Sequence, residues 1–336
     1  GPMFPGKSFR PGVHSMTTRR LFIGTLLAAP TLGPALAQTP AWPQRPVRFV
    51  VALAPGGFVD LIARLLAEHL SEIWGQAVVV ENRPGAGGNV AAQFMARATP
   101  DGYAALVTSA AFTSNLSLSR NPGYRAEQFL PTAVVAGQPQ LFLVRADNRI
   151  QTLHDLVETA RRRPVNFGSP GVGSPGHLLA ELLFKRAPGT DTTHVAYGGG
   201  GPAMTALLAG DIDMVATGLA AGVPLIRGGR ARAIAVTSDR RNDALPDVPT
   251  VAESGVEPIV DSNWAGVFFP SGTPQAVLER VNADVRRVME RPAFRDRLTT
   301  MGFDAIGGDL AAAQAFVASE IAKWRDIVSA VGVQID

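Results

Sequence analysis

At 336 residues the chain is longer than one compact core usually serves, so two domains are expected. It has no cysteine, which excludes disulfides, thiolate metal sites and a lipid-bearing N-terminal Cys. Four of its cations lie within residues 1–37, which hold no acid, so the formal net charge of +3 becomes −1 for the rest and leaves no surplus to attract nucleic acid or anionic lipid.

In chain order, residues 1–37 read as a leader and export signal cleaved near Ala37, which places the protein in the periplasm. Arg19-Arg20 is a twin-arginine pair, the apolar segment 21–29 is too short to span a bilayer, and Ala35-Leu36-Ala37 is a small-x-small cleavage site. A buried helix here would be interrupted by Pro30, Gly33 and Pro34. A strand at 47–51 follows, then the Gly-rich loop Pro55-Gly56-Gly57-Phe58-Val59-Asp60 and a helix over 60–74 with Leu61, Ile62, Leu65, Leu66 and Leu70 on its apolar face. A strand at 78–80, a helix over 89–98 and a strand at 103–108 continue the alternation. The middle of the chain repeats it: strand 141–145, helix 152–163, strand 165–168, a second Gly-rich loop over 168–176, helix 177–186, strand 193–196 and helix 203–209. Short strands at 214–216 and 233–236, a returning strand at 264–269 and helices over 274–291 and 311–331 complete it. Such alternation predicts an α/β clamshell of the type II periplasmic-binding-protein kind, each domain a mainly parallel sheet flanked by helices. The expected domains are 44–143 with 266–336, and an inserted 144–265, joined by two strands near 143 and 265.

The two Gly-rich loops each lie between an apolar run and a helix, where bare backbone N–H groups and the positive helix end suit an anion. Facing each other, they describe a cleft that grips a small organic anion. In the first loop the candidates are the N–H groups of Gly57, Phe58 and Val59; Asp60 reads mainly as a helix cap, and Phe58 as either a ligand wall or core. In the second, Ser169, Gly171, Val172, Gly173 and Ser174 supply hydroxyls and N–H groups, with His177 either a contact or a packed, capping residue. Ser109 and Asn115, with Thr113, follow the third strand and could reach the cleft, as could Tyr197 and Thr217. Arg83 reads as a loop brace and Asp213 as a turn residue. No metal-ligand spacing, phosphate loop or nucleophile elbow selects a reaction, so neither a metal nor an enzyme is expected.

These motifs resemble one family along the whole chain after the leader. They are Pro55-Gly56-Gly57-x-x-Asp60-x-x-Ala63-Arg64, Val80-Glu81-Asn82-Arg83-Pro84-Gly85-Ala86-Gly87-Gly88-Asn89, Pro100-Asp101-Gly102-Tyr103, Gly168 to Leu178 with Glu181, Pro202-Ala203, Leu245 to Gly255, and Pro270 to Pro274. The chain is similar in these to the substrate-binding proteins of tripartite tricarboxylate transporters, the Bug family. The resemblance implies a clamshell that binds a small carboxylate with backbone amides, hydroxyls and waters of two facing loops, here Gly57 to Val59 and Ser169 to Ser174. It also implies no cofactor, and permease subunits of the transporter or a sensor kinase as partners of a monomer. The chain departs from the family at Leu53-Ala54 before Pro55, at Phe58-Val59, at Ala196-Tyr197-Gly198-Gly199 where a Lys is usual, and near Thr217-Gly218 where Asp-Asn is usual. Each departure lowers polarity or charge near the cleft, which predicts a ligand with one carboxylate and a sizeable apolar or aromatic body, not citrate.

A rival reading takes residues 171–176 as the dinucleotide fingerprint Gly-x-Gly-x-x-Gly and Asp191 as its ribose-binding acid, making the chain an exported NAD(P)-binding oxidoreductase. Pro175 inside the fingerprint and Pro188-Gly189 just before Asp191 speak against it.

Overall fold

The computed structural model describes Gly12 and residues 41–336, so the export signal expected within residues 1–37 lies outside the described residues. The first lobe opens with β1 (Val47–Val51), α1 (Phe58–Trp74), β2 (Val78–Asn82), α2 (Asn89–Met95), β3 (Ala104–Ser109), α3 (Ala111–Leu118) and β4 (Phe129–Gln138). The second follows with β5 (Gln140–Arg145), α4 (Leu153–Arg162), β6 (Val165–Ser169), α5 (Pro175–Lys185), β7 (Thr192–Ala196), α6 (Gly200–Ala209), β8 (Met214–Gly218), α7 (Leu219–Arg227) and β9 (Ala231–Val236). The chain then returns through β10 (Asn263–Pro270), α8 (Gln275–Glu290), α9 (Pro292–Thr300), β11 (Asp304–Ala305) and α10 (Leu310–Val331).

Local chemistry explains the boundaries. On α1, Ile62, Leu65, Leu66 and Leu70 recur at helical spacing and are buried, while Leu61 is left exposed; Gly75 ends the helix in the left-handed conformation. Thr152 and Asp155 close a reciprocal capping box at the start of α4. Ser174 caps α5, with Pro175 in its first turn, where a missing N–H costs nothing.

The strands form a six-stranded sheet, β11-β4-β10-β3-β1-β2, and a five-stranded one, β7-β6-β8-β5-β9. The two-lobed clamshell expected from the sequence is present, but its sheets are mixed, not mainly parallel. Parallel pairing joins β1 to β2 and β3, and β6 to β7 and β8. The strands that carry the chain between lobes run the other way: β10 is antiparallel to β3 and β4, and β5 to β8 and β9. The chain passes from the first sheet to the second at Pro139, between β4 and β5, and returns between β9 and β10. At the second crossing, Asp261 is buried against the ammonium of Lys323 on α10 (2.6 Å).

α10 belongs to both lobes. Ala313 and Val317 pack with Val50, Leu106 and Phe268 of the first sheet. Trp324 and Val328 pack with Phe142, Phe167 and Met214 of the second.

Candidate functional site

Helices in the parallel parts of both sheets begin where strands end, so their N-termini gather on one side of the molecule. There the two lobes enclose a cavity of about 860 Å³. Five helices start at its wall: α1 through Gly57 and Phe58, α3 through Ala111, α5 through Ser174 and Pro175, α6 through Gly200 and Gly201, and α7 through Gly218 and Ala220. Among the described residues, none that lines it carries a charged side chain. The N–H groups of Phe58, Val59, Val172, Gly200 and Gly201 have no acceptor among the described residues. The cavity therefore attracts an anion through peptide dipoles alone, with apolar surface from Leu53, Phe58, Leu61, Phe303 and Ile335 around it. The arginines gather elsewhere: Arg45, Arg48 and Arg97 line a separate groove at the edge of the first sheet, where Arg45 pairs with Asp101 and Arg48 with Glu81.

The first loop is held by a charge. Asp60, 2 % exposed, accepts from Gly56 N–H (2.8 Å), Arg64 Nε (3.0 Å) and Asn82 Nδ2 (2.9 Å). Burial works to raise its pKa, but the hydrogen bonds from Arg64, Gly56 and Asn82 prevail and hold it below the usual carboxylate value. The sequence indicated a helix cap; the cap position is Gly57, and Asp60, in the first turn of α1, braces the loop before it. Gly57 N–H turns back to Ala54 O (3.3 Å), so within this loop the free donors are Phe58 and Val59. The Phe58 ring both lines the cavity and packs edge-on against Phe303 (4.7 Å). The Val59 side chain points into the core, so only its backbone can serve the cleft.

The second loop is held by neutral rings. Ser169 Oγ lies 2.7 Å from His194 Nε2 and also accepts from Gly171 N–H (3.2 Å). Gly173 N–H donates to His177 Nδ1 (3.0 Å), which must therefore keep its lone pair, while Nε2 faces Glu181 at 3.6 Å. The rings of His177 and His194 stack at 3.6 Å. Burial, then the neighbouring His177 imidazole, lowers the His194 pKa to about 4, against a weaker pull from Glu181. Gly176 lets α5 start hard against β8: a Cβ there would sit 2.2 Å from Ala216 O.

Several sequence-predicted candidates thus move out of the cleft. Ser169 and His177 are buried beneath the loop, and their polar atoms are spent on its backbone and on each other's neighbours. The N–H groups of Gly171 and Gly173 are likewise used internally, although both residues, with Val172 and Ser174, line the cavity. Tyr197 packs over Gly168 and beside the apolar cluster under α6 instead of facing the cleft. Ser109, Asn115 and Thr217 do line it; Asn115 also holds Gly87 O (3.1 Å) and Asn89 Oδ1 (2.8 Å). Arg83 lies outside, paired with Glu81 (2.6 Å) over the Phe94 ring, and Asp213 binds Arg163 (2.7 Å) at the far end of β8. Sequence reasoning missed Gln138, Gln140 and Asn263 at the crossings. The available signal was a pair of Gln residues flanking Pro139 between two apolar runs. Phe303 and Ile335 arrive from distant parts of the chain and gave no local signal.

The dinucleotide alternative fails on geometry. β6 and β7 are parallel with Val165 opposite Thr192, so Asp191 sits at the opposite end of the sheet from loop 171–176. A ribose-binding acid must lie at the carboxyl end of that strand, which here is Ala196.

The family model described as tripartite tricarboxylate transporter family receptor matches residues 62–333. The chain is 34% identical over 322 residues to the UPF0065 protein in the tcbD-tcbE intergenic region of Pseudomonas sp. strain P51, covering 95% of this chain and 96% of that one. It is 32% identical to Protein BugT of Bordetella pertussis, over 96% of this chain and 99% of that one. Among solved structures, R. palustris Rpa4515 with adipate superposes with a TM-score of 0.80 at 34% identity, covering 87% of this chain and 99% of that one. MatC from Rhodopseudomonas palustris with bound malate gives 0.75 at 31% identity, covering 85% and 100%.

Proposed function

Since this chain belongs to the tripartite tricarboxylate transporter family of receptors, we propose that it captures a small organic acid in the periplasm and presents it to permease subunits in the membrane. The ligand carries one carboxylate on an apolar or aromatic body. The observation that carries this reading is the cavity walled by five helix N-termini and by no charged side chain. Unused N–H groups from α1, α6 and the second loop can receive one carboxylate, each helix end contributing about 0.3–1 kcal/mol. A second carboxylate would find no cation. The remaining wall, with Leu53, Leu61, Phe58 and Phe303, suits a hydrocarbon or ring, and the volume is that of a small-molecule site. The solved relatives described with adipate and with malate support capture of small organic acids.

The mechanism is a shift in population, not a reaction. A ligand that touches both lobes stabilises the arrangement in which they enclose it, and that arrangement is what the membrane partner reads. A thermal-shift panel on the full chain tests this with benzoate, phenylacetate, hexanoate, citrate and NAD. A binding acid at a hundredfold excess over its Kd adds about 2.7 kcal/mol. Stabilisation by the monocarboxylates is expected. Stabilisation by citrate alone would overturn the single-carboxylate assignment, and by NAD alone the capture reading.

A further inference from the structure

Gln140 opens β5, one residue past the Pro139 crossing. Its backbone is committed: the N–H donates to Thr237 Oγ1 (2.9 Å) and the carbonyl accepts from Thr237 N–H (3.0 Å). Its side chain is not. The residue is only 3 % exposed and lines the cleft, yet its primary amide makes no hydrogen bond to any described residue. Among the described residues, the unpartnered side-chain polar atoms sealed from solvent are Asp261 Oδ2, Asn263 Oδ1 and Trp324 Nε1; the Gln140 amide is not among them, so it opens onto the cavity. Gln138 has the same side chain and a different occupation, since its Oε1 accepts from Ala220 N–H (2.9 Å) and ties β4 to α7. Thr217, 2 % exposed and also in the wall, repeats the condition of Gln140 with a hydroxyl that has no partner among the described residues.

Buried polar groups are almost always hydrogen-bonded, because removal from water without a replacement bond is costly. A group held nearly out of solvent and aimed into a ligand cavity is therefore served by the ligand. An amide offers both a donor and an acceptor, and a hydroxyl does the same. What answers both, in a cavity without a cation for a second anion, is a neutral group that donates and accepts. We propose that Gln140, assisted by Thr217, is a specificity-determining residue that reads a hydroxyl or carboxamide on the ligand away from its carboxylate. The ligand class narrows accordingly to hydroxylated or carbamoyl monocarboxylates with an apolar middle. This rests on the carboxylate-capture reading above.

The test is calorimetric titration of the full chain with hexanoate, 6-hydroxyhexanoate, 6-amino-6-oxohexanoate and adipate, and with 3-phenylpropionate against 3-(4-hydroxyphenyl)propionate. On at least one skeleton, the hydroxyl or carboxamide compound is expected to bind about tenfold or more tightly than its unsubstituted partner, the worth of one hydrogen bond. Adipate is expected to bind more weakly than its hydroxyl and carboxamide analogues. In Gln140→Leu the preference should fall to within about twofold. Adipate binding tightest, or a preference that survives Gln140→Leu, overturns the assignment and leaves capture of an acid intact. If none of the six compounds binds the wild-type chain, the capture reading itself fails. Gln140→Met, which keeps the length of the side chain, and Thr217→Val carry the same comparison should Gln140→Leu not fold.

Discussion

The two Gly-rich loops look alike in sequence and are built on opposite electrostatic plans. The first wraps its turn around a buried carboxylate, Asp60, answered by Arg64, Asn82 and the N–H of Gly56. The second rests on two stacked imidazoles, of which His177 needs a free lone pair and His194 is held neutral by burial. The lesson is that a loop which presents N–H groups to an anion must itself be braced, and the brace can be ionic or neutral. Each choice sets the acidity at which the loop lets go.

The largest effect is expected for Asp60→Ala, which strips the acceptor from three donors at once and should cost about 3 kcal/mol in urea unfolding, with Asp60→Asn recovering part of it. Next comes Gly176→Ala. Its new Cβ would lie 2.2 Å from a backbone oxygen that cannot swing away, so α5 must shift, at about 1–3 kcal/mol and with weaker acid binding by calorimetry. His194→Asn loses the ring stack and the Ser169 contact, for about 1 kcal/mol in the same unfolding assay.

Acid should separate the two braces. The unfolded chain protonates His194 near 6.5 but the folded protein only near 4, so the stability tied to the second loop is whole above about pH 6.5 and is lost as pH falls toward 4. Asp60 titrates in the unfolded chain near 3.8 and lower in the fold, so its contribution is present above that value and is lost only on further acidification. Unfolding free energies from pH 7 to 3 should therefore slope less between 6.5 and 4 in His194→Asn than in the wild type; equal slopes would remove the imidazole brace from the account. Smallest of all, Arg83→Ala should leave acid affinity unchanged and move stability by no more than about 0.5 kcal/mol, since its partner Glu81 and the Phe94 ring lie outside the cleft.

The β-α alternation and both loops were legible in the sequence because apolar runs, Gly clusters and helical stripes are local signals. α3 was not, since Thr113, Ser114 and Asn115 are polar yet buried and no apolar stripe marks the helix. Nor was β4, where Pro131 and Gly137 interrupt a strand that lies between β10 and β11. The same limit shaped the site. A glycine loop announces exposed backbone, but whether its N–H groups face a ligand or a histidine depends on what lies beneath, and for Gly171 and Gly173 that is Ser169 and His177. The amide of Gln140 acquires meaning only because the fold leaves it without a partner.

The shared helix α10 also sets an order of events during synthesis. The core of the second lobe lacks Trp324 and Val328, and that of the first lacks Ala313 and Val317, until α10 has been made. Chains that emerge from the ribosome N-terminus first generally complete one domain before the next. Here neither lobe can finish before α10 emerges, and both take packing partners from that one helix.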